Sequence, residues 1–521
     1  MRRTSLKWAK ISVLAVVLLL ISALGSRAWY SLRGPGLAVW HTYVPREMTV
    51  REMDASNWNG YMAAESRVFD DVHTNVVEKL DAASRVPTNR YYEGSPVYPE
   101  HFAQNWNRSY VLEPDGKPVG AVVLLHGLTD SPYSLRHIAR HYRDRGFVAI
   151  GIRLPGHGTV PAALTEVEWR DWAAATRLAV REARRRVGPD VPLELVGFSN
   201  GAALALQYSM DAIEDKSLTR PTRLVLISPM IGVTRYARFA GLAGLPAFFP
   251  AFAKAAWLGI IPEFNPFKYN SFPVNGARQS YLLTHAIKVQ ILRLQRENRL
   301  ADLPPVLTFQ SVIDFTVSVP AVMSALYDQL PENGSEIVLF DVNRSEKFRT
   351  FLRASSYGAL DRLLRTGPQN YRTTVIANAS PDSCQTVERT IEPGEVKEHM
   401  RSLGIDYPQD IFSLSHVAIP FPVTDSLYGT SPGTDENFNA NFGTLAPRGE
   451  RGTLIVTLDS MFRIASNPFF PYVAQRIDEG AGKMPGPVIK APVRSHETAV
   501  GVTDEPTDEL HDIEPEESYE P

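Results

Sequence analysis

Cysteine is almost missing from this chain. The single thiol, Cys384 in 521 residues, excludes an internal disulfide, a C-x-x-C redox pair and a cysteine cluster for zinc. It follows a polar Ser-Pro-Asp-Ser run with no strand-turn-helix around it, and reads as an unpaired structural residue rather than a nucleophile. An excess of one charge is missing too: the net charge of -3 gives no case for a nucleic-acid partner. Arg181, Arg184, Arg185 and Arg186 fall on one expected helix and read as its solvated face. His73, on an expected helix, and His101, in a loop, have no partner at metal-ligand spacing and read as satisfied or exposed histidines. Hydrophobic content of 44% and charged content of 21% exclude wholesale disorder.

Long apolar runs are scarce, and the one that stands out is at the N-terminus. Arg2, Arg3, Lys7 and Lys10 precede Ile11 to Leu24, followed by Gly25-Ser26-Arg27-Ala28-Trp29-Tyr30. A basic start followed by an apolar core is the pattern of an export signal. The core is shorter than the ~20 residues a membrane span prefers. Trp8 and Trp29-Tyr30 can anchor it at the interfaces, basic end inside. An uncleaved single-pass anchor in the inner membrane is favoured over cleavage after Gly25 or Ala28. Either way the body of the protein is expected on the outer, periplasmic side.

What is present in force is alternation of strands and helices. Residues 1–30 read as the signal-anchor or signal peptide, 31–105 as a lead-in with one helix near Gly60 to Leu80, 106–479 as the main domain, and 480–521 as a disordered acidic tail. Arg108 to Leu112 and Ala121 to Leu125, split by Pro114-Asp115-Gly116, read as a hairpin. Helices are expected over Tyr133 to Arg145 and Trp169 to Val187, with buried strands at Phe147 to Leu154, Leu193 to Ser199, Leu224 to Ser228, Val306 to Val312 and Glu336 to Phe340. This alternation implies an α/β fold with a mostly parallel sheet covered on both faces. Residues 230–303 interrupt it with an aromatic-rich insertion holding Phe248, Phe249, Phe252 and Trp257, read as a helical lid over the strand ends.

The apolar run ending at Val196 enters Gly197-Phe198-Ser199-Asn200-Gly201 and passes at once into Ala202 to Leu206, an expected helix. Strand, sharp turn and helix give G-x-S-x-G its meaning, because the turn exposes the serine hydroxyl at the tip of a sheet. Serine is a weak nucleophile, so Ser199 needs a base and a third group to orient that base. Among the histidines beyond the lid, His496 and His511 lie in the tail and His399 on a charged stretch, Glu395 to Ser402, read as helical. His416, in Leu414-Ser415-His416-Val417, sits in a loop with apolar neighbours. Asp314 follows the strand Val306 to Val312 and is favoured as the acid over Asp341, which ends the next strand. Backbone N–H groups of Leu128 and Asn200 are the candidate oxyanion donors. Gly156-His157-Gly158 reads as a structural turn.

Together, Leu125-His126-Gly127-Leu128-Thr129-Asp130-Ser131-Pro132, Arg153 to Thr159, the Ser199 elbow, Asp314 and Ser415-His416-Val417 resemble the α/β-hydrolase superfamily. The branch they resemble is that of monoglyceride lipases, lysophospholipases and small carboxylesterases, also labelled the serine aminopeptidase group. The resemblance spans about Asn107 to Ala474. It implies acyl transfer from an apolar ester or mono-acyl lipid to water through an acyl-serine intermediate, with no cofactor and no metal. A peptidase on the same scaffold, with Asp130 or Glu263 holding a free amine, and a non-catalytic envelope scaffold are the alternatives. The segment between Asp314 and His416 is longer than the family usually shows. An insertion over about 342–410, with a helix at Glu346 to Leu364 and strands at Thr373 to Ala377 and Thr386 to Ile391, accounts for the difference.

Overall fold

Alternate side chains of the central strands are apolar on both sides, so each strand needs a cover on each face. The computed structural model describes residues 2–33, 36–232, 245–248, 250–345, 350–445 and 463–480, and supplies those covers. In chain order come helices α1 (Arg2–Ser31), α2 (Val50–Ala55) and α3 (Trp58–Val72), then strands β1 (Tyr110–Leu112) and β2 (Gly120–Leu125). Helix α4 (Arg136–Asp144), β3 (Phe147–Ile152), α5 (Trp169–Val187), β4 (Leu193–Phe198), α6 (Asn200–Glu214) and β5 (Arg223–Ile227) follow. After a short antiparallel pair, β6 (Trp257–Gly259) and β7 (Phe272–Pro273), come α7 (Val274–Arg296), β8 (Val306–Ser311), α8 (Val319–Ala325) and β9 (Glu336–Phe340). Strands β10 (Arg372–Asn378), β11 (Gln385–Ile391) and β12 (Glu398–Asp406) and helix α9 (Phe470–Gly480) follow, with several shorter helical turns between the elements.

The main sheet has ten strands in the order β1-β3-β2-β4-β5-β8-β9-β10-β11-β12. From β3 to β10 every neighbouring pair is parallel. Ala121, Val123 and Leu125 of β2 face a core built with α5, α6 and α7, whereas Val122 and Leu124 face a second core built with α4 and α9. The period-two alternation of a strand thus feeds two cores, one on each face. This is the expected α/β architecture.

Several expectations are corrected. Strand β1 pairs antiparallel with β3, Tyr110 opposite Gly151, and not with β2. Both flanks of β2 are taken by the parallel neighbours β3 and β4, so no hairpin partner is admitted. The stretch around His399 is strand β12, with His399 opposite Thr390. It is an edge strand exposed along most of its length, so it lacks the apolar alternation that marks a strand in sequence. The helix expected over 346–364 is two short ones, Ala354–Tyr357 and Ala359–Leu363, divided at Gly358; 346–349 lie outside the described residues. Much of the expected lid is core: Leu283, Ile287, Ile291 and Leu294 of α7 are buried against α6, and Gln207 donates to Gln290 across that contact at 2.6 Å. Residues 233–244 and 249 of the insertion, and the tail from 481, lie outside the described residues.

The N-terminal run is helical within α1. Among the described residues no helix is long and apolar enough to cross a membrane, so the single-pass span expected there gains no support. Charged residues crowd the start of the run, and Arg27 follows it closely.

The lead-in is fastened to the main domain by buried charge. Arg153, at the end of β3, donates from Nη1 and Nη2 to Glu47 at 2.7 and 2.8 Å and from Nε to Glu65 at 3.1 Å. Glu65 also accepts from the Ser109 N–H and hydroxyl. A second network holds the chain beyond His416. Asp425 accepts from Arg136 Nη1 at 2.7 Å, His137 Nε2 at 2.9 Å and the Tyr133 hydroxyl at 3.0 Å. Burial would raise the Asp425 pKa, but the Arg136 charge and the His137 hydrogen bond hold it well below the usual carboxylate range. A depressed folded-state pKa adds stability above the unfolded value of about 4 and loses it as pH falls below that. Asp425→Asn leaves the fully buried Arg136 guanidinium without its nearest counter-charge. A loss of about 3–5 kcal/mol is expected in urea unfolding at neutral pH, shrinking as pH drops below about 4. An unchanged midpoint at neutral pH would show that Glu436, which accepts from Arg136 Nε at 2.9 Å, suffices for Arg136.

Candidate active site

The elbow forms because the chain has no other way to pass from β4 to α6. Ser199 sits between them at φ 53°, ψ -110°, a left-handed conformation that costs a non-glycine residue of order 1–3 kcal/mol and survives only where its surroundings enforce it. The Ser199 N–H donates to the Ile227 carbonyl at 2.9 Å, and its carbonyl accepts from the Met230 N–H at 3.1 Å. Close packing demands the flanking glycines. A Cβ on Gly201 would lie 1.8 Å from the Leu125 carbonyl oxygen, and one on Gly197 2.4 Å from the Ala202 nitrogen.

His416 and Asp314 are brought together across a separation of 102 residues, with Nδ1 2.7 Å from Oδ2. Both side chains are buried. The other Asp314 oxygen accepts the N–H groups of Thr316 and Val317 at 2.7 and 3.0 Å, and Gln310 Nε2 donates to Oδ2 at 2.9 Å. Burial pushes the Asp314 pKa up; the hydrogen bond and charge of His416, with the Val317 and Gln310 contacts, outweigh that and hold it below its ordinary value. The His416 ring lies 5.4 Å from that of Phe198, the residue before Ser199. Among the described residues no hydrogen bond joins the Ser199 hydroxyl to His416. The His416 loop is pinned to the sheet by Ser228 Oγ, donating to the His416 carbonyl at 3.3 Å, and Ser311 Oγ, donating to the Leu414 carbonyl at 2.8 Å.

The expected oxyanion donors lie just past the end of β2 and at the start of α6. Leu154 N–H donates to His126 Nε2 at 3.0 Å, which leaves Nδ1 to donate to the Gly127 carbonyl at 2.9 Å. Burial holds the His126 pKa well below its ordinary value, so His126 is a neutral brace between two strand ends. The Asp130 carboxylate accepts the Gly127 N–H at 3.2 Å, and Thr129 adopts φ 59°. Burial raises the Asp130 pKa to about 6, against the opposing charge of Lys268. Asn200 opens α6, so its N–H has no partner within the helix; neither it nor the Leu128 N–H donates to another described group. His157 is buried, its pKa lowered by burial to about 4, and its ring packs edge-on to Trp172, as a structural turn residue does.

Other expected site residues are placed less simply. Trp257 is buried with its ring 4.9 Å from His41, so it packs the insertion onto the lead-in. Phe252 is half-buried at a kink in the 3-10 stretch Pro250–Ala256. Phe248 ends the turn Leu245–Phe248, and Phe249 lies outside the described residues. Glu263 accepts the N–H groups of Asn270 and Ser271 at 2.9 and 2.8 Å, which commits its carboxylate to the loop. Gln310 is a residue that sequence reasoning passed over, although a polar side chain inside the fully buried strand Val306–Ser311 is a signal in itself. Among the described residues no cluster of His, Cys, Asp and Glu could hold a metal ion.

Residues 116–337 match the family model for serine aminopeptidase, S33. The chain is 33% identical over 89 residues to the thermostable monoacylglycerol lipase of Bacillus sp. (strain H-257). That match takes in 17% of this chain and 34% of the relative, so the chain spans about a third of the length of the curated relative it matches. Among solved structures, the metagenome-derived lipolytic enzymes LipS and LipT align at 21% identity and a TM-score of 0.37, over 46% of this chain and 88% of theirs. A soluble variant of monoglyceride lipase from Saccharomyces cerevisiae aligns at 15% identity and a TM-score of 0.34, over 44% of this chain and 81% of its own. With its parallel sheet, its elbow and the match over residues 116–337 taken together, this chain is similar to α/β-hydrolases of the branch that holds the serine aminopeptidase S33 and monoglyceride-lipase-like proteins.

Proposed function

We propose that this protein is a serine hydrolase that cleaves carboxylic esters of apolar acyl groups, of the monoacylglycerol lipase, lysophospholipase or carboxylesterase type. The observation that carries the reading is the 2.7 Å contact of His416 with Asp314, next to a serine held at φ 53° on an elbow. In this reading His416 Nε2 takes the Ser199 proton as Oγ attacks the ester carbonyl carbon. The oxyanion is stabilised by the N–H groups of Leu128 and Asn200. His416 then gives the proton to the departing alcohol, and water, deprotonated by the same nitrogen, releases the acid from Ser199. Phe248, Phe249, Phe252 and Trp257 belong to the insertion assigned to the acyl chain, with Trp257 acting through its packing on His41. The Bacillus relative, a monoacylglycerol lipase, supports a mono-acyl glycerol or similar ester as substrate class.

A peptidase needs a free carboxylate for the substrate amine. Glu263 is held by two N–H groups and Asp130 by Gly127 N–H with Lys268 nearby, which favours the ester. Presenting p-nitrophenyl acyl esters beside amino-acid anilides tests this. A burst of nitrophenol with negligible anilide turnover is expected; faster anilide cleavage would replace the ester reading with the peptidase one. Failure of a fluorophosphonate probe to label the protein would favour a non-catalytic scaffold. We place the catalytic body on the outer face of the inner membrane, tethered or released, from the basic and apolar N-terminal pattern alone. Fractionation with N-terminal sequencing checks that placement, and a soluble cytoplasmic protein would overturn it.

A further inference from the structure

Between the lead-in and the turn after β3 lies a cavity of about 240 Å³, lined among others by Phe69, Tyr98, Arg90, Asn107 and Arg108. It is separate from the Ser199, His416 and Asp314 group, none of which lines it. Arg90 is only 2% exposed. Its described side-chain hydrogen bond is a long one, Nη1 to the Lys268 carbonyl at 3.4 Å, and Nε is buried without a partner. Among the described residues no carboxylate lies within ion-pair distance of Arg90. Glu263 supplies a counter-charge at longer range, but its oxygens are taken by Asn270 and Ser271. The rings of Tyr91 and Tyr269, 5.6 and 5.9 Å from the guanidinium carbon, are weak compensation. A buried cation without a paired anion is among the most costly arrangements in a protein interior.

Among the described residues Nη2 of Arg90 also has no hydrogen-bond partner, and it is the open part of the edge it shares with Nε, Nε being closed off from solvent. A cationic N–H donor suits an oxygen of a carboxylate or phosphate. A second buried atom, Asn107 Oδ1, also has no partner. Its orientation is fixed, because Nδ2 donates to the carbonyl of Pro266 and to Asn105 Oδ1, both at 2.9 Å. Asn107 is itself wholly buried, so the group the cavity offers is the Nη2 donor of Arg90. Of the acidic groups on its lining, Glu100 is already held by Arg108 and Asn105, and Asp70 is exposed. The volume equals that of about eight liquid waters, enough for a small organic anion.

We propose that this cavity is a binding site for a small oxyanion, a carboxylate or a phosphate, held by the charge of Arg90 and distinct from the ester-cleaving site. It stands independently of the hydrolase reading. The test uses the full chain and two probes, lactate and inorganic phosphate, against chloride at equal ionic strength. One or both probes are expected to raise the melting temperature saturably, as a ligand that binds only the folded state must; the probe that does so identifies the source of the oxyanion. Arg90→Met should weaken that binding at least tenfold. Val77→Phe, which narrows the cavity without touching the buried charge, should do the same and decides the matter if Arg90→Met does not fold. Absence of any saturable shift beyond that of chloride would overturn the proposal, as would unchanged binding in either folded variant.

Discussion

Replacing Ser199 with alanine is expected to lower kcat for a p-nitrophenyl acyl ester by about 10⁴-fold or more and to abolish labelling by a fluorophosphonate. The physical case rests on the site doing its work as a unit. In the proposed mechanism, once Ser199 is gone His416 has no proton to take and the oxyanion donors have no covalent intermediate to hold. What remains is whatever the backbone N–H groups do for direct attack by water. The fold should not notice the change. Ser199 is buried, but its described hydrogen bonds are made by the main chain, and alanine fills the same elbow without an added clash. A melting temperature within a degree or two of the parent, beside the lost activity, separates chemistry from misfolding. Turnover within tenfold of the parent would move the nucleophile elsewhere and remove the ester mechanism drawn above.

The parts of the molecule that were legible in the sequence are those where one local rule dominates. Trp169–Val187 is bounded as a helix at the expected residues, because a long amphipathic period with Gly188 at its end leaves little choice. β4 and its elbow were legible because Gly197 and Gly201 stand where a Cβ would collide with backbone. The region beyond Asp314 was harder, since its strands are exposed along the far edge and their alternation is blurred by charge. Residues 398–402 carry Glu398, His399 and Arg401 on a short stretch that reads as well for a solvated helix as for a strand; the pairing with β11 decides it, and pairing is a long-range fact. The lead-in hid its role for a related reason. Glu47 and Glu65 look like ordinary surface acids until Arg153, far away in sequence, is found between them. Asp314 and His416 were reachable by order and context, but Gln310, Ser228 and Ser311, which hold them in place, have no signature except being polar where a strand is fully buried.

Asp314→Asn is expected to reduce kcat by roughly 10⁴-fold while Asp341→Asn leaves it within a few-fold. The two aspartates end neighbouring strands, and the sequence favoured the first without excluding the second. Their surroundings differ in kind. Asp314 points Oδ2 at His416 Nδ1 and has Oδ1 filled by two backbone N–H groups, so an amide in its place would present a donor to His416 or lose the loop contacts, and either outcome removes the tautomer that, in the proposed mechanism, takes the Ser199 proton. Asp341 instead accepts Arg344 Nε at 2.8 Å, and its own carbonyl accepts the Tyr407 hydroxyl. Its side chain is buried, so Asp341→Asn should lower the unfolding midpoint while kcat persists. Stability against pH gives a second readout. The Asp314 pKa is depressed in the folded chain, so its contribution is present above the unfolded value of about 4 and lost as pH falls below it; in Asp314→Asn that part of the acid limb should flatten. Equal activity losses in both variants would mean that the insertion has coupled the two strand ends, and loss only in Asp341→Asn would transfer the acid to β9.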